Sequence, residues 1–237
     1  MAIKKERLIK KFISIAASIF ILFHALTAAK CPEEGTPPEN SVVLEPTADG
    51  IAMWHDESPG NYYFNRYTDE YFVVGSSPSE GDWPYDPSCC TDPLYFVSLL
   101  RFNQASIAGK NVQQAYLYLY GFDEVGDEGT SLTENLKVDR IKEEWNSTTK
   151  FYDEISLPGF VTGDTVELPA PIVPGAGTAY AIDVTAIVQD WATNGGNYGF
   201  RLMANQTAST VNRVRFTSSR YTGDETQKPR LAIEFAE

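Results

Sequence analysis

Between Ser41 and Phe235 the chain is a succession of short β-type runs broken by Gly, Pro, Asn and Asp, and the runs over 113–120 and 211–217 alternate with a period of two. That period places alternate side chains on opposite faces of an extended strand. The runs and the turn residues between them predict strands over 41–45, 50–54, 62–66, 70–74, 94–102, 113–120, 136–141, 151–155 and 165–168, and again over 211–217 and 230–235. Leu94 to Phe102 is almost continuously apolar, as a strand covered on both faces should be. Gln113 to Tyr120 alternates strictly, with Ala115, Leu117 and Leu119 on one face and Tyr116, Tyr118 and Tyr120 on the other.

One stretch changes period twice. Ala179 to Met203 reads as strand, short helix, tight turn and strand. Val184, Ile187, Val188 and Trp191 recur at i, i+3, i+4 and i+7, a spacing that puts them on one helical face, which must be buried. Asp183 and Thr185 offer side-chain oxygens suited to capping that helix, and Asn194-Gly195-Gly196-Asn197 tolerates the positive φ a reversal needs. About a dozen strands at spacings near ten residues, with one brief helix, predict an all-β antiparallel sandwich. No repeat occurs at solenoid or propeller periods.

Residues 1–29 stand apart. Lys4, Lys5, Arg7, Lys10 and Lys11 precede an apolar run from Phe12 to Leu26 that ends in small residues, the pattern of a secretory signal peptide with cleavage expected before Lys30. The apolar run is shorter than the ~20 residues a spanning helix needs, so an uncleaved anchor is the alternative and no membrane insertion is expected after cleavage. Residues 30–40, rich in Pro and Glu, read as a flexible leader to one domain over 41–237. Ser76 to Pro93, with four prolines and no period, reads as a long loop.

The sequence carries a net charge of −13, and residues 1–29 hold five positive and one negative charge, so the remainder carries −17. Such a surface repels nucleic acid and anionic membranes. Solubility explains most of the charge, with loosely bound calcium the one cofactor left open. Cys31, Cys89 and Cys90 are an odd set in an exported chain. Cys31 bridged to Cys89 or Cys90 is the preferred pairing and a vicinal Cys89–Cys90 bridge the alternative. Zinc is not expected, because His55 is far away and no second paired-cysteine motif exists.

Nothing in the chain has the look of a catalytic centre. His55 is the one histidine after residue 29, with no motif offering it a nucleophile, and the carboxylates of Asp123, Glu124, Asp127, Glu128, Glu143 and Glu144 suit solvated turns. Two aromatic surfaces suit sugar instead, because ring faces cover the C–H faces of pyranoses while polar groups satisfy their hydroxyls. The first is Tyr116, Tyr118 and Tyr120, with Arg213 and Arg215 as polar partners if their strand lies alongside. The second is the set Trp54, Tyr62, Tyr63, Trp83 and Tyr85 beside Asp82 and Asp86. Asn146-Ser147-Thr148 and Asn205-Gln206-Thr207 fit glycosylation sequons.

Five ordered blocks carry a resemblance. They are Leu44 to Asp49; Leu99-Leu100-Arg101-Phe102 with Ala115 to Leu119; Val138-Asp139-Arg140-Ile141 with Trp145 to Thr149; Asp183-Val184-Thr185 through Trp191 with Asn197-Tyr198-Gly199; and Phe216 to Ser219 with Pro229-Arg230-Leu231. Together, over about 41–237, they resemble the DNRLRE domain family, which is similar to family 96 carbohydrate-binding modules and to modules of disaggregatase-type enzymes. The resemblance implies a jelly-roll sandwich, export and frequent attachment to glycan-active or surface proteins. It implies no catalytic centre, and it casts Asp49, Arg101, Asp183 and Arg230 as caps and buried charge pairs and Trp145 and Trp191 as core. The expected function is a secreted, non-catalytic, polysaccharide-binding module. A self-assembling structural subunit of a surface layer, matrix or filament is the alternative.

Overall fold

The computed structural model describes residues 37, 41–55, 63–66, 70–77, 94–103, 105–122, 131–145, 160–173, 175–204 and 211–236; at 50–55, 63–66, 94 and 160–163 it describes the backbone only. The expected signal peptide, the leader apart from Pro37, most of the long loop, the strand over 151–155, both sequons, Cys31, Cys89, Cys90, Tyr62, Trp83 and Tyr85 lie outside the described residues. Among the described residues the strands are β1 (Val42–Leu44), β2 (Pro46–His55), β3 (Tyr63–Arg66), β4 (Tyr71–Ser77), β5 (Leu94–Phe102), β6 (Val112–Tyr120), β7 (Leu136–Ile141), β8 (Phe160–Leu168), β9 (Ala179–Asp183), β10 (Phe200–Met203), β11 (Asn212–Thr217) and β12 (Arg230–Phe235), with one α-helix, α1 (Thr185–Asn194), between β9 and β10 and a 3-10 turn at Glu225–Gln227.

All pairings are antiparallel, in two sheets. The four-stranded sheet runs β1-β12-β6-β9 and the larger sheet runs β11-β4-β5-β10-β7-β8, with β2 on β5 and β3 on β2. Because β2 follows β5 along its whole length, β4 and β10 must share the opposite edge of β5, β4 at Leu94–Phe96 and β10 at Ser98–Leu100. Taking β1, β5, β6, β7, β8, β9, β10 and β12 in chain order, one sheet holds the first, eighth, third and sixth of them and the other the second, seventh, fourth and fifth. Those are the two interlocked Greek keys of a jelly roll.

The sheets bury the faces that alternation predicts. Ala115, Leu117 and Leu119 of β6, Ile182 of β9 and Leu231 and Ile233 of β12 join one cluster with Phe96, Leu100 and Phe102 of β5, Phe200 and Leu202 of β10 and Val214 and Phe216 of β11. Each large side chain so buried contributes roughly 1.5–3 kcal/mol. On β5 the intervening Tyr95, Val97 and Leu99 are also buried, in a second cluster with Ile141 and Trp145, so this strand is covered on both faces.

The helix closes the core. Val184, Ile187, Val188 and Trp191 are at most 2 % exposed, and the Trp191 ring lies 4.7 Å from Phe200. Asp183 Oδ1 accepts from the Thr185 amide at 3.0 Å and from its hydroxyl at 2.6 Å, while Thr185 Oγ1 accepts from the Ala115 amide at 2.9 Å. The N-cap position is Val184, with no side-chain cap, so the expected capping by Asp183 and Thr185 is not what forms; the two instead bond each other and tie the helix to β6. The chain leaves through Gly195 and Gly196, both at φ 73°, and Gly199 at φ 98°. A Cβ on Gly199 would lie 2.1 Å from the Leu100 carbonyl oxygen, so only glycine lets β10 enter against β5 there.

Two strands run longer than their sequence pattern predicts. Asp49-Gly50 and Gly163-Asp164 look like breaks, yet β2 passes straight through the first, and β8 continues beyond the second across a register shift between Thr165 and Phe160. Both aspartates have distant partners. Asp49, fully buried, accepts from the Ser219 amide at 2.6 Å and pairs with Arg220 at 2.7 Å, and Asp164 lies 3.4 Å from Arg140. A carboxylate satisfied across the fold does not need its own backbone to turn.

Candidate functional site

The three tyrosines of β6 stand in line on the outer face of the four-stranded sheet. The register sets Ala181 and Arg230 on either side of Tyr118, Asp183 and Ala232 beside Tyr116, and Ala179 beside Tyr120. Small neighbours leave the rings to dominate the face, and Tyr116 and Tyr118 are 6.3 Å apart between centroids. The face is closed, however. Tyr118 has 0 % exposure, Tyr120 4 % and Tyr116 8 %. Burial, reinforced by the neighbouring Tyr120 and Tyr116, pushes the Tyr118 hydroxyl up to about 12, so it stays neutral at any physiological pH. An open platform of three stacked rings is therefore not what the structure presents.

Arg213 and Arg215 are not the partners of this stripe, which corrects the sequence reading. Their strand pairs with β4 in the other sheet, opposite Gly75 and Val73, and meets β6 at its end, through a Gly121–Phe216 bridge, the Phe122 amide on the Arg215 carbonyl and the Thr217 hydroxyl on the Tyr120 carbonyl. With Val214 and Phe216 turned into the core, the two arginines take the opposite face. Arg215 lies 4.8 Å over the Tyr71 ring, and Arg213 is 6.0 Å from the Phe96 ring. The cation beside the stripe is Arg230 of β12, whose guanidinium donates to the Tyr120 hydroxyl and sits 5.2 Å over its ring. Its place on an alternating strand was visible in the sequence. Its pairing with β6, more than a hundred residues away, was not.

Of the second aromatic group, positions 54 and 63 lie on strands of the larger sheet, and Tyr62, Trp83 and Tyr85 lie outside the described residues. Trp54 pairs with Tyr63 on one side and with Tyr95 on the other, so three aromatic positions fall on one line across β3, β2 and β5. Laterally paired residues share a face, and Tyr95 belongs to the cluster on the side away from the main core, which places all three positions on the outer face. Tyr95 is the member that sequence reading passed over, hidden in a run that looked uniformly apolar. Further along the same face, Arg201 makes a two-pronged contact with Asp139 at 2.8 and 3.1 Å, with side chains 10 % and 3 % exposed, and Thr165 donates to the same carboxylate at 2.6 Å. Trp145, fully inside, donates its indole N–H to the Tyr198 carbonyl at 2.6 Å, and Arg101 donates to the Trp145 carbonyl at 2.6 Å. Arg101 and Trp145 thus lock a loop onto the sheet.

Among the described residues no group of three or more His, Cys, Asp or Glu side chains is placed to hold a metal ion, and no helix is long and apolar enough to cross a membrane. The family model of carbohydrate-binding module family 96 matches residues 95–235, more than half of the chain. No curated protein matches the chain.

Proposed function

The chain belongs to carbohydrate-binding module family 96, and on that premise we propose that it is a secreted, non-catalytic protein that holds an extracellular or cell-wall polysaccharide. The observation that carries this reading to a particular place is the register Tyr63–Trp54–Tyr95. Tyr95, buried to the same degree as Tyr116, backs this row rather than facing a ligand, so the row offers the neighbouring positions 54 and 63, ~4.8 Å apart on paired strands and suited to one sugar ring. The tyrosine stripe of β6, with no open ring at its centre, is the weaker host. Trp54, from the second aromatic group, becomes the residue on which binding turns.

A glycan array probed with purified protein tests the reading. Selective binding that survives in the wild type and is lost in Trp54→Ala supports it, together with no release of reducing ends or unsaturated sugars from the bound glycan. Concentration-dependent assembly with no glycan bound would overturn it in favour of a structural subunit.

A further inference from the structure

Among the described residues the aromatic rings that keep some solvent exposure are Tyr71, Phe122, Tyr180, Tyr198, Tyr221 and Phe235. Three of these touch one another. The Tyr71 and Phe122 rings lie 5.0 Å apart and tilted by 33°, and Tyr221 meets Phe122 edge-on at 5.9 Å. They come from three separate elements: the first residue of β4, the segment just past β6, and the turn that follows β11.

Backbone contacts hold the three together at one end of the sandwich. Gly121 bridges to Phe216, and the Phe122 amide donates to the Arg215 carbonyl at 3.0 Å, which brings the end of β6 to β11. The Ser218 amide donates to the Glu70 carbonyl at 2.8 Å and the Tyr221 amide to the Ser218 carbonyl at 3.2 Å, which brings the turn to the start of β4. Gly223 lies directly against Tyr221, where a Cβ would come within 2.4 Å of the ring, so the ring has its place because that position carries no side chain. Polar groups border the rings. Arg215 stands 4.8 Å over Tyr71, and the Thr222 hydroxyl donates to the Glu70 carboxylate.

We propose that Tyr71, Phe122 and Tyr221, bordered by Glu70 and Thr222, form a second saccharide-binding site that takes one or two pyranose units at the end of the sandwich. The proposal rests on the carbohydrate-binding reading above and adds a location to it. A cluster of partly exposed rings offers apolar surface for the C–H face of a sugar, and a carboxylate and a hydroxyl at its edge offer partners for the sugar hydroxyls. The rings are positioned by backbone hydrogen bonds, so the patch exists before any ligand arrives and little ordering is needed on binding. The buried β6 stripe has no such accessible surface.

Affinity gel electrophoresis of the whole protein in xylan, galactomannan, mixed-linkage β-glucan and polygalacturonate separates the outcomes. On a polysaccharide that retards the wild type, Tyr221→Ala should weaken retention about tenfold, and Tyr221→Phe, which keeps the ring, should stay within about twofold. Thermal melts of both variants check that they are folded. A Tyr221→Ala protein retained like the wild type, while Trp54→Ala is not retained, overturns the end site and leaves the row on the larger sheet standing. Loss in Tyr221→Ala with Trp54→Ala unaffected supports the end site and removes the row. A wild type retarded by none of the four overturns both.

Discussion

The outer faces of the two sheets follow the same alternation and close by different chemistry. On the four-stranded sheet the outward positions of the central strand β6 are three tyrosines, flanked by alanines and by one arginine that reaches a ring hydroxyl. On the larger sheet the outward positions combine apolar residues with a charge pair, Arg201 and Asp139, that is nearly without solvent. A tyrosine can be buried at modest cost because its ring is apolar and its one polar atom needs one partner. A carboxylate buried to the same degree must be fully satisfied, and Asp139 is, by two guanidinium bonds and a threonine hydroxyl. The first face should therefore respond to mutation through packing, and the second through electrostatics.

The largest effect expected is Asp139→Ala. Arg201 would be left buried beside an empty space, at a cost of roughly 3–5 kcal/mol in urea unfolding. A loss under about 1 kcal/mol would mean the pair is wetter than its geometry implies. Next comes Tyr118→Ala, expected to cost about 3 kcal/mol because a fully buried ring is removed. If this variant unfolds like the wild type, the stripe is an open surface in solution and the contrast between the faces fails.

A third test isolates the Tyr118 hydroxyl. Its folded value, about 12, lies above the ordinary 10.0, so between those limits the folded chain holds a proton that the unfolded chain has released. Stability from this group is complete below pH 10 and is lost as pH rises toward 12. Thermal melts from pH 8 to 12 should show the wild type losing stability faster than Tyr118→Phe, and parallel curves would place the hydroxyl in water. The smallest effect is expected for Tyr221→Ala, under about 1 kcal/mol, because its ring is only partly buried and lies in a surface turn. A larger loss would make the end cluster part of the core.

Most of the described strands were legible in the sequence, β6 from its strict alternation and β5 from its nearly continuous apolar run, and the helix from the four residues of its buried face. The two misread strands share one cause. Asp next to Gly is the usual composition of a turn, and nothing local reveals that Asp49 has Ser219 and Arg220 waiting 170 residues away. The candidate site was legible in the same uneven way. Tyr116, Tyr118 and Tyr120 sharing one face follows from their spacing, and so does the separation of Arg213 and Arg215 from Val214 and Phe216.

What alternation cannot convey is which strand lies next to which. Side-chain direction is set by the sterics of each residue and its immediate neighbours, so it is written locally and can be read locally. Partnership between strands is chosen by the burial of whole faces at once, and it was this that put Arg230 rather than Arg213 or Arg215 beside the tyrosines. The same global packing closed the stripe, set Trp54 between Tyr63 and Tyr95, and drew Tyr71, Phe122 and Tyr221 to one end of the sandwich. Exposure belongs to the assembled chain, because a residue's own neighbours in sequence do not determine what comes to lie over it.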